Sequence, residues 1–211
     1  MNYKANINIF DCDGVILDSN NFKIESLSKA LRCFNFSDDR VQEALNFFKS
    51  NFGLSRDQHF KMISKILGEE CDDLKISKVR KLYESSLMID YKNCKLIKSN
   101  VSFIKSIYSK EKVFIVSASD QCELRSFLPE KIKIIPEERI FGGPRSKLNN
   151  ILDLKKKFND YNFIYYGDSI NDAEASLEAN INFIGLLKYS NSPTELQKFC
   201  TKKNLKTLQS L

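Results

Sequence analysis

The sequence has 211 residues, of which 42% are hydrophobic and 28% are charged. This length and balance are typical of a globular chain with one large domain, or one domain carrying a small second one, and they exclude a disordered or collagen-like protein. The formal net charge of +6 is spread along the chain without a long basic run, so it does not indicate a nucleic-acid-binding arm.

The sequence does not indicate a membrane protein or a zinc protein. No segment reaches the roughly 18–20 uninterrupted apolar residues of a membrane span. The short apolar stretch near the N-terminus runs into Asp11 and Asp13, unlike a secretory signal. The six cysteines are scattered without a C-x-x-C pair and His59 is the one histidine, so we expect reduced thiols. These features predict a cytoplasmic protein.

Five short apolar runs predict buried strands. They are rich in β-branched and aromatic residues, as expected for parallel strands that are covered on both faces. Stretches with helical spacing separate most of them, for example Val101, Ile104 and Ile107. This alternation predicts an α/β fold with a doubly wound, Rossmann-like parallel sheet. The runs are Ile7–Phe10, Val113–Val116, Ile132–Ile135, Phe163–Tyr166 and Phe183–Leu187.

The segment between the first two runs has a different pattern. From about residue 20 to residue 91 helical spacing predicts four helices and no strand. Ser55 and the pair Asp38-Asp39 suit N-cap positions, and Gly68 suits a helix end. We therefore predict a core domain of residues 1–19 and 92–211, with an inserted helical cap domain of residues 20–91. The expected helices are Phe22–Phe34, about Asp39–Phe48, Ser55–Leu67 and Asp73–Met88.

Two carboxylates follow the first predicted strand. Ligands of open parallel sheets bind beyond the carboxyl ends of the strands, and Asp11 and Asp13 fall at that edge. Their mutual repulsion favours a bound cation, and oxygen ligands near a phosphate suit Mg²⁺. Gly14 permits a sharp change in backbone direction. On these residues alone, a polar turn after a strand remains the alternative.

The next predicted strand ends carry a hydroxyl and an amine. Ser117 directly follows the second run, and the residues from Asp120 to Glu123 have the form of a capping box that starts a helix aimed at the same edge. Lys147 lies in a turn before a further helix, where an ammonium group suits a phosphate. A serine after a strand is commonplace and a lysine is often only a surface residue, so neither is decisive alone.

A second acidic pair follows the fourth run. Asp168 comes at the strand end after Gly167, and Asp172 would lie on the first turn of the next helix, where negative charge is favoured. A helix N-terminus with an acidic first turn is a reasonable alternative for Asp172 and a weaker one for Asp168.

These groups, in this order, resemble the haloacid dehalogenase superfamily of phosphotransferases. The matching motifs are Asp11-Cys12-Asp13-Gly14-Val15, then Ser117, then Lys147, then the segment from Gly167 to Asp172. The resemblance covers roughly residues 6–187. The helical insert is similar to the cap of the phosphoglycolate phosphatase and β-phosphoglucomutase branch.

The resemblance implies a role for each motif residue. Asp11 would be the nucleophile that forms an aspartyl-phosphate. Asp13 would protonate the leaving alcohol and then deprotonate the attacking water. Ser117 and Lys147 would bind the phosphoryl group during its transfer.

The resemblance also implies an Mg²⁺ cofactor and a set of substrate contacts. Asp11, the backbone carbonyl of Asp13 and Asp168 would hold the ion, and Asp172 would support either the ion or Lys147. The implied substrate-binding residues are Gly14, Arg56, Ser117, Ala118 and Lys147.

The acid at Asp13 disfavours two branches of the superfamily, because the dehalogenases and phosphonatases lack an acid at that position.

The segment Gly53-Leu54-Ser55-Arg56 is similar to a mutase cap loop that places an arginine on the non-transferring phosphate. An exposed residue in the first turn of a helix is the alternative for Arg56. Where those mutases have a histidine, this chain has Lys23. We therefore expect a phosphatase, with a β-phosphoglucomutase-like phosphomutase as the alternative.

The expected partner is a small phosphorylated substrate, with a sugar phosphate as one candidate. We expect no nucleic-acid or membrane partner, and a monomer or a dimer. A phosphoacceptor signalling domain is the alternative from another class. Such receivers place the acceptor on a later strand and carry no helical insert of this size, so both features of the sequence oppose it.

Overall fold

Four of the five predicted strands lie in one parallel sheet, with β1 (Asn6–Phe10) in its interior. The structure, a computed structural model, describes residues 5–211, without the side chain of Glu70. The strand order is β3-β2-β1-β4-β5-β6, and every neighbouring pair is parallel, which confirms the predicted fold class. The other strands are β2 (Lys112–Asp120), β3 (Ile140–Gly143), β4 (Asn162–Gly167), β5 (Asn182–Leu186) and β6 (Lys206–Leu208).

Both faces of the sheet are covered by helices, which explains why the strands are continuous apolar runs. Ile7 and Ile9 belong to a buried cluster with Ile151 on one face. Phe10 points to the opposite face, into a cluster that includes Ile104. The helices that follow β1 are α1 (Asn20–Arg32), α2 (Asp38–Ser50), α3 (Arg56–Leu67), α4 (Asp73–Asn93), α5 (Lys98–Tyr108), α6 (Gln121–Ile132), α7 (Lys147–Lys157), α8 (Ile170–Glu178) and α9 (Pro193–Lys202).

The strand predicted at Ile132–Ile135 is wrong. Ile132 is the last residue of α6, and Lys133 takes a left-handed conformation with φ 63° that ends the helix. Ile132 and Ile135 are buried in the core, so their apolar character reflects packing and not extended structure. The third strand is β3, which begins at Ile140. The short edge strand β6 was not predicted, because its side chains are only partly buried.

Helices α1 to α4 follow β1 and precede β2 in the sequence, and they pack against one another. We call these four helices the cap. Ser55 is the N-cap of α3, as predicted, in a capping box with Gln58, and Gly68 follows the end of the helix with φ 64°. Ser37 occupies the N-cap position of α2, one residue before the predicted Asp38-Asp39 pair. The division of the chain at residues 19/20 and 91/92 stays a prediction.

Two general properties concern the whole described chain. Within residues 5–211, helices with the length and apolarity needed to cross a membrane are absent. All six cysteines carry free thiols.

Replacing Ile9 by alanine should lower the free energy of unfolding by about 2–5 kcal/mol, because the substitution leaves a cavity in the centre of the sheet. Ile9 is fully buried, whereas Ile89 on α4 is 65% exposed. Urea unfolding of Ile9→Ala, with Ile89→Ala as the matched control, measures the difference. Equal losses in the two variants would contradict the assignment of β1 to the interior of the sheet.

Candidate active site

The predicted groups at the strand ends meet at one edge of the sheet. Asp11 follows β1, Ser117 lies on β2, Lys147 begins α7 and Asp168 follows β4. All four line a single cavity of about 30 Å³ under the cap. Parallel strands end at the same edge, so residues up to 157 positions apart in the chain come together there because of the topology.

Three buried carboxylates form a cluster at this edge. One carboxylate oxygen from each of Asp11, Asp168 and Asp172 lies within 4.8 Å of the others. Burial raises the pKa of Asp11 to about 7; the Lys147 ammonium opposes the shift, and the charges of Asp172 and Asp13 add to it. Burial, together with Asp11 and Asp172, raises the pKa of Asp168 well above its usual value. The cluster therefore stores electrostatic repulsion that a cation would relieve.

The backbone at Gly14 lies very close to the carboxylate of Asp168. Gly14 has φ 72°, a conformation that favours glycine, and a Cβ atom at this position would overlap the carboxylate of Asp168. Asn20, at the start of α1, donates from Nδ2 to Asp168 Oδ2 at 2.8 Å. Gly14 and Asn20 thus fix the direction of the Asp168 carboxylate toward Asp11.

The donor set fits a magnesium ion. Within residues 5–211 no donor meets Asp11 Oδ1 in hydrogen-bond geometry, although Lys147 Nζ lies 3.0 Å from it. A buried carboxylate oxygen with free acceptor capacity, next to a second carboxylate, is the ligand type that Mg²⁺ uses. Asp11 and Asp168 are therefore the side chains that could hold the ion. The Asp13 side chain turns away from this cluster, which leaves its backbone carbonyl as the ligand expected from the sequence.

Lys147 joins Asp11 to Asp172. Its ammonium forms ion pairs with both carboxylates, and these raise its pKa even though burial acts in the opposite direction. The second oxygen of Asp172 accepts hydrogen bonds from the Ser169 backbone N–H at 3.1 Å and from its hydroxyl at 2.6 Å. Both oxygens of Asp172 are thus engaged, which favours support of Lys147 over direct metal binding for this residue.

Asp13 is surrounded by donors from three parts of the chain. Oδ1 accepts from Ser19 Oγ at 2.5 Å and from the Tyr91 hydroxyl at 3.0 Å, and Oδ2 accepts from Ser119 Oγ at 2.7 Å and Lys23 Nζ at 2.9 Å. Burial alone would raise the pKa of Asp13, but Lys23 and the serine hydroxyls lower it to about 2. Asp13 is therefore a carboxylate in this closed arrangement.

The cap supplies the wall opposite the carboxylates. Arg56, at the start of α3, lines the cavity and forms a bidentate ion pair with Glu123 on α6, with distances of 2.7 and 2.6 Å. Gly14 does not line the cavity itself, whereas Ala118 does, beside Ser117. The predicted site residues thus come together, with Arg56 bound to the protein's own carboxylate.

Sequence reasoning missed several contacts of the site. It noted Lys23 only as a departure from a family pattern, and it treated Glu123 only as part of a helix cap. Tyr91 and Ser119, which bond Asp13, carried no signal at all, because a tyrosine late in a helix and a serine within a strand are ordinary residues. The hydrogen bond from Asn20 to Asp168 was not predicted either.

Comparison with known proteins agrees with this geometry. The sequence matches the family model of the haloacid dehalogenase-like hydrolases over residues 8–186, which is most of its length. The chain belongs to the haloacid dehalogenase-like hydrolases. It is therefore an enzyme of that family, and the resemblance found in the sequence is confirmed. No curated protein matches the sequence of this hydrolase.

Solved structures share the fold of this hydrolase at low sequence identity. A predicted phosphatase from Clostridium acetobutylicum is 18% identical with a TM-score of 0.74, covering 99% of this chain and 95% of its own. A predicted phosphoglycolate phosphatase from Haemophilus somnus is 18% identical with a TM-score of 0.69, covering 88% and 87%. A candidate β-phosphoglucomutase from Bacteroides vulgatus is 16% identical with a TM-score of 0.74, covering 98% and 84%. At this identity the likeness shows the fold alone.

Mg²⁺ should stabilise the hydrolase against heat, and more strongly at about pH 8 than at about pH 5.5. Below its raised pKa Asp11 is protonated and the proton competes with the cation, so we expect at least about tenfold weaker binding at the lower pH. Thermal unfolding with and without Mg²⁺ measures the shift in Tm, and Asp168→Asn should remove most of it. The exposed Asp160→Asn serves as the control, and equal shifts in the two variants would place the metal elsewhere.

Proposed function

We propose that this hydrolase is an Mg²⁺-dependent phosphatase that transfers the phosphoryl group of a small phosphomonoester to Asp11 and then to water. The observation that carries the proposal is the pairing of the buried Asp11 carboxylate with Lys147 at 3.0 Å, beside Asp168 and under a closed cap. The Lys147 ammonium, together with a divalent cation held by Asp11 and Asp168, would neutralise the charge that phosphoryl transfer spreads over the equatorial oxygens. Mg²⁺, when bound, supplies part of that neutralisation.

The chemistry divides into two steps. In the first, an Asp11 oxygen forms a bond to phosphorus while the bond between phosphorus and the ester oxygen breaks, and Asp13 gives its proton to the departing alkoxide. In the second, a water attacks the aspartyl-phosphate, Asp13 takes the water proton, and Asp11 leaves as a carboxylate. Ser117 and Lys147 hold the phosphoryl oxygens throughout, and Asp172 keeps Lys147 in place.

The contacts of Asp13 support a role for the cap in this cycle. In the closed arrangement Lys23 holds Asp13 as a carboxylate, which is the form that accepts the water proton in the second step. Donation in the first step needs a protonated Asp13. Lys23 lies on α1 of the cap, and separating its ammonium from Asp13 while that carboxyl stays buried would raise the pKa of Asp13 and favour the protonated form.

Two alternatives are less well supported. A phosphomutase needs a group that holds a second phosphate, but Arg56 is bound to Glu123 and Glu84, and Lys23 stands where the mutases have a histidine. A phosphoacceptor signalling domain is opposed by the family membership and by the four cap helices. A sugar phosphate remains a candidate substrate, and the cytoplasmic location and the monomeric or dimeric state remain predictions.

Replacing Asp11 by asparagine should lower phosphate release by roughly a thousandfold or more, because the amide cannot act as the nucleophile. Release of inorganic phosphate from a panel of sugar phosphates and p-nitrophenyl phosphate, with and without Mg²⁺, provides the assay. The exposed neighbour Asp18, replaced by asparagine, is the matched control. Full turnover by Asp11→Asn would show that another residue is the nucleophile.

The Asp13→Asn variant should separate the acid from the base role of Asp13. General acid catalysis contributes about 10²–10⁴-fold when the leaving group is a poor one. We therefore expect a larger loss in aspartyl-phosphate formation for an alkyl phosphate than for p-nitrophenyl phosphate, and slow breakdown of the intermediate for both. Rapid-quench measurements of the two steps test this. The same loss in formation for both substrates would argue against Asp13 as the proton donor.

A further inference from the structure

The cavity under the cap is lined by three cations, and each already has carboxylate partners. Lys23 pairs with Asp13 at 2.9 Å, and Lys147 pairs with Asp11 at 3.0 Å and with Asp172. Arg56 pairs with Glu123 at 2.6 Å and with Glu84 at 3.2 Å. Within residues 5–211, a lining cation without such a partner is absent.

Arg56 belongs to a cluster with an excess of negative charge. Glu84 also binds Arg80 at 2.8 Å, and Arg80 in turn binds Asp57 at 2.6 Å. Two guanidinium groups therefore face three carboxylates. Arg56 and Glu123 are mostly buried, with 13% and 16% of their side chains exposed. A second anionic group of a substrate that reached Arg56 would have to displace a buried carboxylate and would lie beside the others.

The remainder of the cap wall is uncharged and aromatic. Phe48, Phe52 and Phe60 line it together with Tyr83, whose ring lies 5.6 Å from that of Phe60 and 6.0 Å from that of Phe48. His59 also lines the cavity, and burial next to Lys23 lowers its pKa to about 4, so this imidazole is neutral.

One neutral polar group on this wall is available to a ligand. The hydroxyl of Tyr83 forms no hydrogen bond with any residue in the described range 5–211, although the side chain is 2% exposed. Burial raises the pKa of Tyr83 to about 12, so the hydroxyl is neutral. The wall thus offers ring faces and a hydroxyl to whatever lies between the cap and Asp11.

We infer that the substrate is a phosphomonoester with an uncharged leaving group, and that the Arg56–Glu123 pair excludes substrates with a second anionic group. This inference rests on the proposed phosphatase function and names the substrate class of the same site. The transferred phosphate is the anion that a bound Mg²⁺, together with Lys147, would compensate. Aromatic rings and a hydroxyl suit the apolar and hydroxyl-bearing surface of a neutral alcohol. Phosphorylated carboxylic acids and bisphosphates are disfavoured.

The first test compares two substrates that differ only in charge. Phosphoglycolate and its uncharged amide, glycolamide phosphate, have nearly the same shape, and p-nitrophenyl phosphate checks general activity in the same assay. With Mg²⁺ present, we expect kcat/KM for the amide to exceed that for phosphoglycolate by at least about tenfold. A ratio of one, or a preference for phosphoglycolate, overturns the inference even though the phosphatase function stands.

The second test changes the charge next to Arg56. Glu123→Gln leaves Arg56 with one partner fewer, so the ratio of the two kcat/KM values should move toward phosphoglycolate by about tenfold. Glu130→Gln is the matched control, because Glu130 lies on the same helix α6 and is exposed. The control should keep the wild-type ratio.

The two tests distinguish a failure of the inferred substrate class from a failure of the proposed function. An unchanged ratio in Glu123→Gln, or the same change in both variants, overturns the role of the Arg56–Glu123 pair. Failure to hydrolyse any of the three phosphates in the presence of Mg²⁺ overturns the proposed function itself, and the substrate class falls with it. Since the wild-type ratio needs no substitution, the first test holds even if Glu123→Gln does not fold.

Discussion

The structure depends on the burial of several carboxylates at one edge of a parallel sheet. Asp11, Asp168 and Asp172 repel one another in a region with little water, and Lys147 compensates only part of that charge. The sheet holds them because β1 and β4 are adjacent and end together. This repulsion is tolerated in the folded protein because the surrounding apolar core is large, and it makes the edge a place where a cation is favoured.

The cap completes this electrostatic arrangement with ion pairs of its own. Lys23 reaches Asp13 and Arg56 reaches Glu123, so both cap cations are bound to carboxylates of the core. The apolar side chains of the cap fill the space between these two contacts. The same contacts therefore close the site, fix the charge of Asp13 and leave a neutral wall opposite Asp11. The residues that hold the cap in position are therefore the same ones that we propose select the substrate.

The sequence predicted those parts of the fold that can be recognised from a pattern of neighbouring residues. Apolar runs located four of the six described strands, and Asp11, Asp13 and Asp168 were found because acids follow such runs, whereas Lys147 was found through the family resemblance. The prediction of a strand at Ile132–Ile135 was wrong because an apolar run at the end of a helix looks the same in the sequence as an apolar run in a strand. The pairs Arg56–Glu123 and Tyr91–Asp13 join residues 67 and 78 positions apart, and nothing local distinguishes them from surface or core residues.

The small cavity has a kinetic consequence. A volume of about 30 Å³ holds little more than a water molecule, which is too small for a phosphomonoester beside Asp11 while the cap is in this position. Substrate binding would then require the cap to move relative to the sheet, and large-scale motions of this kind occur on the microsecond to millisecond scale. Turnover then responds to solvent viscosity as well as to the chemistry at phosphorus.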